Sequence, residues 1–177
     1  MLSSDISNLA KISLIGHPAV GKTTILKLLS EKVINKIYLP TQGFDLNTVE
    51  FDNFRLKVWD FGGQKSYLNM YLHSYLLGTD ILLIVTDSTK ENVMSSRDLI
   101  KIAKKAIEND CPIIAIANKQ DLLDKDKKRL AVDRVQDLLD IRTYGLTAID
   151  PTQREKLLDI IKKELNKAVS RREVKIK

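Results

Sequence analysis

The chain has 177 residues, 44% of them apolar and 29% charged. That is enough for one domain with a full core, and too apolar for a disordered chain. A net charge of +6 raises anionic partners, but no aromatic residues interleave with the basic C-terminal segment and no nucleic-acid module is present, so nucleic acid is not expected.

The chain reads as a single unit over residues 1–177, with a short N-terminal extension (1–10) and a basic C-terminal tail (168–177). Met1–Ala10 lacks the basic start and apolar run of a secretory signal, though Leu2, Ile6 and Leu9 would line one side of a short helix. Ile12–Ile15 is a predicted strand that stops at Gly16. Gly16-His17-Pro18-Ala19-Val20-Gly21-Lys22-Thr23 follows, then a predicted helix over Lys22–Val33. Glycines at both ends of such a loop let backbone N–H groups turn inward and form an anion nest, and the helix N-terminus adds positive potential. In this pattern Lys22 reaches the β- and γ-phosphates of a nucleotide, the Thr23 hydroxyl ligates Mg²⁺, and Ala19, Val20, Gly21 and Thr24 supply backbone or side-chain donors. Pro18 offers no N–H. His17 has no pairing carboxylate and reads as structural.

Pro40-Thr41-Gln42-Gly43 precedes two predicted strands, Thr48–Phe51 and Phe54–Asp60, joined by a turn at Asp52-Asn53. Asp60-Phe61-Gly62-Gly63-Gln64 comes next. Asp60 at a strand end is placed to hold Mg²⁺ through water, the Gly63 N–H to meet a γ-phosphate, and Gln64 to orient an attacking water. Thr41 offers a second hydroxyl to the metal. Thr41 and Gly63 sit on loops that a γ-phosphate would hold and its loss release, which is the logic of a switch.

Ile81–Thr86 and Ile113–Asn118 are continuous apolar runs, as expected of strands covered on both faces, and too short to span a bilayer. Asn92–Asn109 has helical spacing between them. Cys111, the single cysteine, excludes an internal disulfide framework, fits a reducing cytoplasm and reads as a small packed residue. Asn118-Lys119-Gln120-Asp121 follows the second run. A carboxylate at Asp121 accepts from guanine N1–H and its exocyclic amine. Adenine offers neither, and would leave the charge unpaired at a cost of about a few kcal/mol. Asn118 is placed to tie loops together and the Lys119 stem to cover one face of the base. Arg142–Thr147 is a short last strand, after which Thr147-Ala148 is placed to give a backbone N–H to the guanine oxygen. Pro151–Ser170 is the final helix.

Strands separated by helices imply an α/β fold: a mostly parallel six-stranded sheet, one antiparallel edge strand, and helices on both faces. Each motif falls at a strand's carboxyl end, where such sheets bind ligands. The reading is a single small GTPase domain that hydrolyses GTP to GDP with Mg²⁺ and recruits effectors in the GTP form. Lys36–Leu39 contains no arginine to act in cis, so intrinsic hydrolysis is expected to be slow, on the order of 10⁻⁴ to 10⁻³ per second, until a partner assists. Two other readings stand beside it: a subunit that holds nucleotide with little hydrolysis, and a phosphotransferase using ATP.

Pro40–Phe44, Leu56–Gln64 and Asn118–Asp121 resemble the ADP-ribosylation-factor (Arf) and Arf-like branch of the Ras superfamily, over about Lys11 to Leu165. The resemblance implies a hairpin that slides with nucleotide state, exchange factors and GTPase activators as partners, and effectors met through an aromatic surface at Phe44, Trp59 and Tyr75. It also implies a cytoplasmic protein peripheral to membranes, in processes like membrane traffic. Leu2 stands where the family has a myristoylated glycine, and Lys175-Ile176-Lys177 carries no prenylation signal, so only weak membrane-surface contact is expected. Lys65-Ser66-Tyr67-Leu68 also departs from the family text.

Overall fold

The computed structural model describes residues 8–32, 44–51, 54–61, 65–107 and 110–175. Its elements are β1 (Asn8–Ile15), α1 (Lys22–Leu29), β2 (Phe44–Phe51), β3 (Phe54–Phe61), α2 (Lys65–Leu76), β4 (Ile81–Thr86), α3 (Lys90–Ala106), β5 (Ile113–Ala117), α4 (Val132–Leu139), β6 (Thr143–Gly145) and α5 (Arg154–Lys175). The six strands form one sheet in the order β2-β3-β1-β4-β5-β6. Five run parallel, and β2 pairs antiparallel with β3 at one edge.

Alternation along the strands builds two cores, one on each face of the sheet. Ile12, Leu14, Ile81, Leu83, Ile114 and Ile116 point to the side covered by α1 and α5. Ile15, Leu82, Ile84, Ala115 and Ala117 point to the side covered by α2, α3 and α4. This is why β4 and β5 read as unbroken apolar runs. Parallel strands joined through helices also bring their carboxyl ends to a single edge, so Gly16, Asp60 and Asn118 arrive together.

Several boundaries differ from expectation. β1 begins at Asn8, so Leu9 lies in a strand, exposed, rather than on a short helix. α1 stops at Leu29, where Ser30 caps it and Glu31 takes a left-handed φ of 54°. Two helices, α2 and α4, were not among the predicted elements. Among its described side chains α2 buries Leu72, Tyr75 and Leu76, and α4 buries Val135 and Leu139. The final helix divides into a 3₁₀ turn over Pro151–Gln153 and a long α-helix that runs to Lys175, through most of the expected tail. The turn at Asp52-Asn53 lies outside the described residues.

Candidate functional site

The loop between β1 and α1 curls tightly. Ala19 and Gly21 both have left-handed backbones, at φ 62° and 105°. Gly16 packs against the strand edge, where a Cβ would stand 2.3 Å from the Val85 carbonyl oxygen. Lys22, only 6% exposed, folds back over the loop and donates to the carbonyls of Gly16 (3.2 Å) and His17 (3.0 Å). Burial holds its pKa below the ordinary lysine value, while the charge of Asp60 works in the opposite direction.

Asp60 is fully buried at the end of β3, in register with Leu14 on one side and Asp45 on the other. Its carboxylate accepts a hydrogen bond from the Thr23 hydroxyl, the first side chain after Lys22. A carboxylate and a hydroxyl in contact form a hard oxygen donor set. It suits Mg²⁺, which keeps several waters and takes substrate phosphates as further ligands. No cluster of three or more His, Cys, Asp or Glu side chains suited to a metal occurs among the described residues. Thr41, Gly63 and Gln64 lie outside the described residues, and Thr24 follows Thr23 in α1.

Asn118 joins the pieces. It is 2% exposed. Its amide nitrogen donates to the Val20 carbonyl at 3.0 Å, and its amide oxygen accepts from the Ala148 N–H at 3.0 Å. One side chain thus ties the phosphate-type loop to the loop after β6. Lys119, at φ 62°, reaches back to donate to the Ala19 carbonyl at 2.7 Å. Burial lowers its pKa, against the opposing charge of Asp87. Asp121 stands exposed on the 3₁₀ turn Gln120–Leu122. Gln120 anchors that turn: its amide donates to Ser88 Oγ at 2.8 Å, and Ser88 Oγ in turn donates to the Asn118 carbonyl at 2.7 Å.

Comparison with known proteins decides what this arrangement belongs to. The family model described as "ADP-ribosylation factor family" matches residues 2–168. The chain belongs to the ADP-ribosylation factor family. It is 40% identical over 134 residues to "ADP-ribosylation factor-like protein 3" of Chlamydomonas reinhardtii, covering 75% of this chain and 72% of that protein. Arf family proteins are GTPases, and the observed sheet, five strands parallel and one antiparallel, is that of a small GTPase. Membership supports a GTP-binding switch that interacts with regulators and effectors.

One expectation drawn for this Arf family chain is corrected. Tyr75 is not part of an exposed aromatic surface. It is 6% exposed, packed among Ile15, Leu72 and Leu76, its hydroxyl bonded to Ser13 and to the Leu14 backbone. Lys11 seals that position, with its ammonium 5.5 Å from the ring centre and bonded to the Tyr75 and Leu77 carbonyls. At Thr147-Ala148, the pair expected to give a backbone N–H to a base oxygen, the Ala148 N–H is buried and donates to Asn118. The backbones of Phe44 and Trp59 lie at the start of β2 and near the end of β3, and their side chains are outside the described set. No helix among the described residues is long and apolar enough to cross a membrane.

Sequence reading missed Ser88 and Arg129. Arg129, in the charged stretch Lys125–Arg129, is a half-buried cation. Its Nη1 donates to the Asp87 carbonyl, and its Nε lies 3.3 Å from Asp126. Residues 128–130 bond to Ser88 and Lys90 through the backbone, Leu130 N to Ser88 O at 2.8 Å and Lys90 N to Lys128 O at 3.1 Å. Ser88 itself has a φ of 69°, a strained backbone that often marks functional sites.

Proposed function

We propose that this chain is a switch driven by Mg²⁺-dependent hydrolysis of GTP to GDP and phosphate, engaging effectors in the GTP form. The clasp at Asn118 carries the reading, because it ties the loop after β1 to the loop after β6 just ahead of the turn that bears Asp121. The loop N–H groups from Ala19 to Thr23 would cradle the α- and β-phosphates, and Lys22 would turn from the Gly16 and His17 carbonyls toward the β- and γ-phosphates. Asp121 would read the guanine edge while the Lys119 stem covers one face of the ring. Thr23, Thr41 and Asp60 would hold the metal. A Mg²⁺ held there would supply positive charge against that developing on the phosphate oxygens. Gly63 would donate its N–H to the γ-phosphate, and Gln64 would orient the attacking water. Release of the γ-phosphate would free the loops of Thr41 and Gly63. The aromatic pair Phe44 and Trp59 would meet effectors, with Tyr75 absent from that surface. The domain would act in the cytoplasm, at most in weak peripheral contact with membranes, in processes akin to membrane traffic.

The deciding experiment loads the purified chain with labelled GTP in the presence of excess ATP and follows a single turnover in Mg²⁺, in parent and Gln64→Leu. Retention of GTP against ATP, with slow hydrolysis that the substitution abolishes, is expected. Equal displacement by ATP would overturn the guanine reading. Retained GTP that neither protein hydrolyses would leave a nucleotide-holding subunit instead.

A further inference from the structure

A second concavity lies at the opposite end of the sheet from the phosphate-type loop. It has a volume of about 470 Å³, inside the range of small-molecule sites, roughly 300–1,000 Å³. It opens between the last turn of α3, the start of β5, the residues before β6 and the second half of α5. Ile107, Ile113 and Ile141, each partly buried, give it an apolar wall.

Among the described residues that line it, Lys104, Arg142 and Lys167 stand against one carboxylate, Glu164. Glu164 is 2% exposed and already saturated. Arg142 Nη1 donates to its two oxygens at 2.7 and 2.6 Å, the Tyr144 hydroxyl donates at 2.8 Å, and Lys167 Nζ at 3.1 Å. Burial alone would raise its pKa, but these donors outweigh that and hold it below the ordinary glutamate value, so it stays an anion turned toward its own partners. It therefore has little capacity left for another cation. Lys104, by contrast, is exposed and bonds to no described residue. The Arg142 side chain is 45% exposed, and both of its bonds to Glu164 run from Nη1.

We propose that this cavity binds a small anionic amphiphile, with its hydrocarbon against Ile107, Ile113 and Ile141 and its carboxylate or phosphate on Lys104 and Arg142. A concave wall lined by one excess sign of charge concentrates the opposite sign. The planar Arg142 fork matches a carboxylate or phosphate, and it is already held in place by Glu164. A bare inorganic anion would leave the apolar wall unused. A wholly apolar guest would dehydrate the two cations without replacing their hydrogen bonds. The site is independent of the nucleotide reading and shares no residue with it.

Titration of the full chain with monomeric dodecanoate tests this, read by calorimetry and by isoleucine methyl shifts. Saturable one-to-one binding is expected, with shifts at Ile107, Ile113 and Ile141. Lys104→Glu, and more mildly Lys104→Met, should weaken it, the former by about tenfold. Lys101→Glu, one turn earlier on α3 and outside the cavity, should change it by less than about twofold. Inorganic phosphate and dodecyltrimethylammonium should bind far more weakly. No saturable binding of dodecanoate, equal affinity for the alkylammonium, equal damage from the Lys101 and Lys104 substitutions, or shifts elsewhere would overturn the proposal. So would adsorption to phosphatidylserine vesicles with no binding of the monomer, which would mark a membrane-facing patch instead.

Discussion

A Cβ on residue 21 would lie 2.2 Å from Nδ2 of Asn118, so glycine alone lets the loop after β1 approach the end of β5 this closely. The asparagine cannot step aside cheaply, because both ends of its amide are bonded, to Val20 and to Ala148. The backbone at Gly21 is also in a region that side chains disfavour, at φ 105°. Gly21→Ala should lower stability by about 1–3 kcal/mol and weaken guanine nucleotide by at least about tenfold. Thermal melting and nucleotide dissociation measure the two effects. A variant with parental nucleotide affinity would show that the approach is not needed.

Asn118→Ala leaves the Val20 carbonyl and the Ala148 N–H without their partner in a buried setting. Each such loss costs about 1–3 kcal/mol. The expected outcome is a clear drop in melting temperature together with faster nucleotide release. If melting falls but release does not change, the clasp serves folding alone.

Arg129 acts on the turn of Asp121 only through neighbours. It pins the segment 128–130 beside Ser88, and the Gln120 amide bonds to Ser88 Oγ and the Leu130 carbonyl. Arg129→Ala should therefore accelerate nucleotide release several-fold and destabilise the fold by about 1–3 kcal/mol, while leaving the preference for GTP over ATP intact. Loss of that preference would mean that Arg129 positions the base-reading carboxylate more directly.

Glu164 gives a pH dependence whose sign is fixed by its surroundings. Donors from Tyr144, Arg142 and Lys167 outweigh burial and depress its folded pKa. A depressed carboxylate contributes fully above its unfolded value, about 4.3, and loses that contribution as pH falls through the folded value. Glu164→Gln should be less stable than the parent at neutral pH by about 1–3 kcal/mol, with the gap closing below roughly pH 4. Denaturant unfolding across that range checks it, and a gap independent of pH would remove the carboxylate's charge from the explanation.

The legible and illegible parts of this chain separate along physical lines. The runs Ile81–Thr86 and Ile113–Ala117 showed as strands because residues buried on both faces must be apolar throughout. The spacing of Gly16, Gly21 and Lys22 was readable because a strand, a tight loop and a helix start are all set by neighbours in the chain. α2 and α4 were not predicted, although Leu72, Tyr75 and Leu76 in the one and Val132, Val135 and Leu139 in the other keep helical spacing. Arg129 was not singled out because a cation in a charged run differs from its neighbours only in what it folds against.

The sequence alone determined the order of elements around the nucleotide-type loops and the chemistry that Lys22, Asp60 and Asp121 present, since these depend on local spacing and side-chain type. Only the tertiary structure decided which groups already have partners. Tyr75 is buried against β1 and sealed by Lys11, and the Ala148 N–H is taken by Asn118. Both outcomes depend on contacts between residues far apart in the chain, where packing and hydrogen-bond satisfaction are settled jointly and no local pattern records the result.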